Sequence, residues 1–223
     1  MNKTVKQKPP FSAWYVREFE NYLSDMAKEG KRFIGRNRFK EGENKQITYH
    51  LLHGPAELDQ GLLDELQAQN WVYAGDINKI GDAKTCFHAF ETEDFNAPDS
   101  VFLETLVSTA KSLKNINLEL LIGILLFSAI TIVPIYIFWQ VLPLATVIFI
   151  VYLLISGILS SWDSYAAKKY LKEMVDEFGP SYPPKDWQRL KQETRMKWIT
   201  LYVVVAVVYV VYVAICIGRG KLL

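Results

Sequence analysis

The sequence predicts an α+β N-terminal domain, built from a duplicated α-β-β unit whose four strands form one antiparallel sheet with helices on one face, followed by three α-helical transmembrane spans. Two observations predict it. A unit recurs at an offset of forty residues, as in YLSDMAKEGKRFIG from Tyr22 and LLDELQAQNWVYAG from Leu62, and the apolar residues are gathered into two uncharged runs, 120–161 and 199–217.

In the first copy Tyr15, Phe19, Tyr22, Leu23, Met26 and Ala27 fall at helical spacing, and Gly30 stands where a left-handed cap is expected. In the second, Leu58, Leu62 and Leu66 recur every four residues, with Pro55 near the helix start and Asn70 at the cap. The pairs Tyr22/Leu62, Met26/Leu66, Gly30/Asn70, Phe33/Tyr73 and Gly35/Gly75 share the offset. Strand-like alternation follows each helix. Ile47, Tyr49 and Leu51 line one face after the turn Glu41-Gly42-Glu43-Asn44, and Phe87 and Ala89 line one after Gly81-Asp82. A further helix, 99–114, carries Leu103, Leu106, Val107, Ala110 and Leu113 on one stripe.

At about 1.5 Å per residue, roughly twenty residues cross a membrane core of about 30 Å. The first run is therefore expected to hold two spans, 119–139 and 144–161, joined by a turn at Gln140 to Pro143, and the second run one span. The expected domains are 1–95 (cytosolic α+β), 96–117 (linker helix), 118–161 (transmembrane hairpin), 162–197 (basic cytosolic loop), 198–218 (third span) and 219–223 (tail). Residues 162–197 carry eight basic side chains, from Lys168 to Lys197, which places that loop and the N-terminus inside and the C-terminus outside a cell membrane. Arg219 and Lys221 oppose this weakly. Within the loop, Leu171, Met174, Val175 and Phe178 form an amphipathic stripe ended by Gly179 and Pro180.

The stretches AWYVREFENYLSDMAKEGKRF, ITYHLL, NWVYAGDINKI and CFHAF resemble the bacterial family called domain of unknown function 2812, over about residues 10 to 95. Trp14, Phe19, Leu23, Met26, Gly30, Tyr49, Trp71 and Tyr73 carry the resemblance. The family usually has Trp after the capping glycine, where this chain has Lys31. The resemblance implies a cytosolic module attached to membrane helices, often encoded beside PadR-like transcriptional regulators, with no assigned activity.

Lys plus Arg number 25 and Asp plus Glu 24, so no overall field points to direct binding of nucleic acid. There is no glycine-rich phosphate loop, serine nucleophile motif or paired-carboxylate signature, and no enzyme and no cofactor are expected. The histidines are His50, His53 and His88, with Cys86 two residues from the last. Cys86 and His88 are weak metal candidates. On a regular strand His50 and His53 point to opposite faces, so at most one could join them, and ordinary sheet roles are expected instead. Cys86 and Cys216 are expected on opposite ends of the topology and not as a disulfide.

Arg36, Arg38 and Lys40 alternate, and Lys31 and Arg32 extend a basic stripe. Residues 1–45 hold eleven basic and six acidic side chains, against two and eleven in 46–104. The stripe is either solvated charge or a surface for anionic lipid headgroups or an acidic partner. The expected function is a membrane-anchored regulatory or protein-interaction protein with a cytosolic sensing module. The alternative is a membrane component of a transport or peptide-immunity system acting through its spans. Expected partners are membrane lipids, a protein such as a transcriptional regulator or another membrane protein, and further copies of the chain through the spans.

Overall fold

The computed structural model describes residues 3–7, 9–77, 85–113, 122, 125 and 144–218. The chain divides into two compact units, 1–114 with 167–191, and 115–166 with 192–223.

The first unit opens with β1 (Thr4–Lys6) and α1 (Val16–Lys28), then β2 (Lys31–Phe33) and β3 (Arg38–Glu41). β4 (Thr48–Pro55), α2 (Gln60–Ala68), β5 (Val72–Ile77), β6 (Thr85–Thr92) and α3 (Ser100–Ser112) follow. Two long helices complete the described chain, α4 (Leu144–Phe178) and α5 (Trp187–Gly218). Among the described residues the strands make two three-stranded antiparallel sheets, ordered β1-β3-β2 and β4-β6-β5, where the sequence suggested one sheet of four. The repeating unit is therefore strand–helix–strand–strand, with the third strand central each time. The short β1 and the break between β2 and β3 account for the miscount. Ile34 N–H donates to Arg38 O and Arg38 N–H to Gly35 O, closing a hairpin through Arg36 (φ +50) and Asn37 (φ +59). Two left-handed central residues make a type I′ turn, whose twist matches that of the flanking strands.

Nor do the helices share one face. His53 pairs with Phe87 across β4 and β6, and Trp14, just ahead of α1, packs on both rings. On the opposite face Leu52 and Phe90 join Leu66 of α2, Trp71 and Phe102 of α3 in a buried cluster. β6 is thus covered on both sides, which is why CFHAFET does not alternate apolar with polar. Gly30 (φ +78) and Asn70 (φ +67) end α1 and α2 in the left-handed conformation that the cap reading predicts. Pro55, expected near the start of α2, instead ends β4, and Asp59 caps the helix by accepting from Leu62 N–H at 3.3 Å.

The repeat has a physical meeting point. Gly35 and Gly75, equivalent at the offset of forty, lie back to back: a Cβ on Gly75 (φ +130) would sit 2.6 Å from Gly35 Cα and 2.9 Å from its N. The next equivalent pair is bonded, Arg36 N–H donating to Asp76 O at 2.7 Å. Only glycine permits that approach in that conformation.

Residues 167–191 belong to the same unit and dock on α1. Glu18, fully buried, accepts from Tyr170 Oη at 2.6 Å and from Lys185 N–H at 2.9 Å. Asp25 accepts from Trp187 Nε1 at 2.8 Å, and Arg17 donates to Pro180 O at 2.9 Å. The apolar side of that segment, Leu171 and Val175, is buried with Tyr170 and Tyr182, whereas Phe178 is exposed. Because this segment covers the side of α1 turned away from the sheets, α1 is buried nearly all round, acidic residues included.

The expectation of three transmembrane spans, and of a multi-pass cell-membrane location with an inside N-terminus and outside C-terminus, is corrected. Among the described residues no helix is long and apolar enough to cross a membrane. α4 runs unbroken into Lys168, Lys169, Lys172, Glu173, Asp176 and Glu177, and α5 begins in QRLKQETRMK, so each is apolar over only part of its length. The expected span 119–139 and its turn lie outside the described residues, apart from Ile122 and Leu125. Within the second unit, Lys197 Nζ donates to Asp163 Oδ1 at 3.0 Å, and the Trp162 and Tyr165 rings pack at 5.6 Å.

Candidate functional site

Three places in the first unit gather polar chemistry. The first is on β5 and β6. A register shift between Tyr73 and Gly75 leaves Ala74 unpaired and turns Tyr73 and Asp76 to the same side, opposite Phe90 and His88. Cys86 and His88, two apart on β6, share that side. The bulge therefore assembles four groups: the Tyr73 hydroxyl hydrogen-bonds Asp76 Oδ1 and lies 3.2 Å from His88 Nδ1, which is 3.6 Å from Asp76 Oδ1. Cys86 Sγ is 3.3 Å from His88 Nε2 and 4.0 Å from Nδ1. Ligand atoms of Asp76, Cys86 and His88 all lie within 4.8 Å of one another, with Cys86 and His88 buried. Burial first, then the neighbouring Asp76 carboxylate, pushes the Tyr73 phenol well up, so it remains protonated. Asp76 and Tyr73 lay outside the sequence-based candidates; the signal that points to them is the glycine at 75, which marks the bulge.

His50 and His53 stay apart, on opposite faces as the strand period requires. His53 is packed between Trp14 and Phe87. Burial, with His88 and Lys168 nearby, holds its pKa below the usual imidazole value. His50 contributes to the second place, a cleft of about 270 Å³ lined by Arg17, Glu20, Asn21, His50 and Tyr182. Glu20 Oε1 accepts from Leu51 N–H at 2.8 Å and lies 3.2 Å from His50 Nδ1; Oε2 is 3.3 Å from Arg17 Nη1. Burial pulls the Glu20 carboxyl up, but His50, Arg17 and Leu51 N–H together outweigh it and hold the group below its ordinary value.

The third place is the basic stripe. The hairpin redistributes it. Arg36 is in the turn, and Lys31 bonds Glu29 at 3.1 Å. Arg32 leans on the buried Glu91, donating from Nε at 2.8 Å and again from Nη2, while Tyr49 donates to the other carboxylate oxygen at 2.8 Å. Arg38 and Lys40 remain exposed on β3, on either side of the buried Phe39. The short β1 adds Lys6, which the stripe as read from sequence lacked. Lys6 pairs with Arg38, and Arg32 with Lys40, so like charges stand directly across the ladder twice. Among the described residues none of Lys6, Arg38 and Lys40 makes an ion pair.

Comparison with protein-family models, with curated proteins and with solved structures returns no match for this chain.

Proposed function

We propose that this chain is a non-catalytic interaction protein whose β1-β3-β2 sheet docks an acidic segment of a protein partner. One observation carries the reading: Lys6, Arg38 and Lys40 share an exposed sheet face, with like charges opposed across the strands and, among the described residues, no ion pair made by any of the three. Opposed like charges destabilise an isolated sheet, and a surface kept at a cost to stability is the usual mark of binding. An acidic segment would relieve the repulsion and gain speed of encounter from the field.

The test is in-cell photo-crosslinking from Thr4, which pairs with Lys40 on that face, with Glu104 on α3 as the control position. Adducts to a protein partner are expected from Thr4 and are expected to fall at least about tenfold when Lys6, Arg38 and Lys40 are all replaced by Gln, in line with loss of electrostatic steering. The reading fails if Thr4 gives no adducts beyond those of Glu104, or if the triple replacement leaves them unchanged.

A further inference from the structure

We propose that Cys86, His88 and Asp76 form a binding site for a single divalent transition-metal ion of the zinc type, independent of the basic face.

His88 Nε2 is 2.8 Å from Pro55 O. A carbonyl only accepts, so the Nε2 hydrogen is given to Pro55, and Nδ1 is the nitrogen that faces the cluster. Around Nδ1 stand the Tyr73 oxygen at 3.2 Å and Asp76 Oδ1 at 3.6 Å, while Cys86 Sγ lies nearer Nε2, at 3.3 Å, than Nδ1, at 4.0 Å. The Tyr73 hydrogen is directed to Asp76 in the short bond between them. Carboxylate, imidazole and thiol thus bring ligand atoms within 4.8 Å of one another, a spacing from which one ion could gather them.

Metal-bound histidines characteristically give their other ring N–H to a backbone carbonyl, which fixes tautomer and ring angle, as Pro55 does here. Thiolate, imidazole and carboxylate together suit a borderline-soft ion, zinc before magnesium or calcium. Bonds of about 2.0–2.3 Å in a tetrahedron set ligand atoms roughly 3.3–3.6 Å apart. The nitrogen–oxygen separation of 3.6 Å already meets this, whereas the Cys86 side chain must turn from Nε2 toward Nδ1 and Asp76, closing separations of up to 4.8 Å. Three protein ligands leave a fourth position, on the side where the Tyr73 oxygen lies. Binding would release the thiol proton of Cys86 to solvent and leave His88 neutral.

The experiment is titration of the full-length, metal-stripped chain with Zn²⁺, and with Co²⁺ as a coloured substitute, followed by metal analysis after dialysis. One equivalent of metal per chain is expected, with a thiolate-to-cobalt charge-transfer band in the near ultraviolet. Cys86→Ser is expected to abolish that band, and Asp76→Asn to weaken binding at least about tenfold, while Cys216→Ser changes neither. Circular dichroism of each variant separates loss of a ligand from loss of the fold, and the half-buried Asp76 position keeps the test usable if Cys86→Ser unfolds. Absence of stoichiometric metal, or a cobalt spectrum indifferent to both Cys86→Ser and Asp76→Asn, overturns the proposal and leaves a proton on His88 as the cation of the cluster.

Discussion

Replacing Gly75 by Ala should be among the most damaging single-methyl changes in the protein. The added carbon would lie 2.6 Å from Gly35 Cα, 2.9 Å from Gly35 N and 3.2 Å from Ile34 C, all backbone atoms that no rotamer change can move. The backbone angle, φ +130, is itself foreign to residues with a side chain and costs about 1–3 kcal/mol. Separating the two strands enough to admit the methyl adds about 1–3 kcal/mol of overpacking. The sum, about 2–6 kcal/mol, is a large part of a stability of about 5–15 kcal/mol. Gly42→Ala is the matched control, because a Cβ there meets nothing within 4 Å; it should stay within about 0.5 kcal/mol of the parent. Urea unfolding followed by tryptophan fluorescence reads both, and at a slope of about 2 kcal/mol per M the Gly75→Ala midpoint should fall by about 1–3 M. Equal midpoints for the two variants would refute the back-to-back contact of the repeat-equivalent glycines.

Arg32→Met removes two of the three donors on the buried Glu91 and should cost about 1–3 kcal/mol, measured by the same unfolding with an unchanged slope. Tyr170→Phe leaves Glu18 with Lys185 N–H alone and should cost about 1.5–3 kcal/mol; a variant as stable as the parent would argue against docking of 167–191 on α1. Acid should destabilise the fold in two stages. His53 is held below its ordinary 6.5, so the unfolded chain takes up its proton first and stability declines as pH drops below about 6.5; His53→Gln should remove that stage. Glu20, held below its ordinary 4.5, contributes stability present above that value and lost as pH falls further, a stage that Glu20→Gln should blunt. Exchanging Lys6, Arg38 and Lys40 for Gln should raise stability by about 0.2–1 kcal/mol per opposed pair relieved, whereas charges serving the fold would make the same change destabilising.

The repeat, the two caps and the apolar stripes of α1 and α2 were legible because each reflects a local demand: helical spacing, or a backbone angle that Gly30 and Asn70 accept. Sheet membership was not. β1 has three residues, too few for its alternation to register, and the basic stripe at 31–40 hides a turn because Arg36-Asn37 is not the usual Asn-Gly. The burial of β6 on both faces comes from Trp14, just ahead of α1, on one side and α2 with α3 on the other, a long-range fact that no window of CFHAF contains. The candidate site was half visible. Cys86 and His88 stand out by residue type and spacing, but Asp76 and Tyr73 reach them only through the bulge at Ala74. Nothing in the sequence marks Glu18 and Asp25 as anchors, because the segment that bonds them lies more than a hundred residues away. The uncharged stretches 144–161 and 199–217, read as spans, proved to be parts of helices whose other parts are charged.

That distant closure imposes an order on synthesis. The first unit is not complete at Lys114 but only when residue 191 has been made. At about 5–20 residues per second, the remaining 77 residues take roughly 4–15 s. Throughout that interval Glu18 has neither Tyr170 nor Lys185 to hold it, and the rings of Tyr15 and Tyr22 lack the Tyr170 and Trp187 rings that pack on them. The nascent chain thus carries an unfinished α1 through the production of the first long helix, and its final lock is set only as α5 begins.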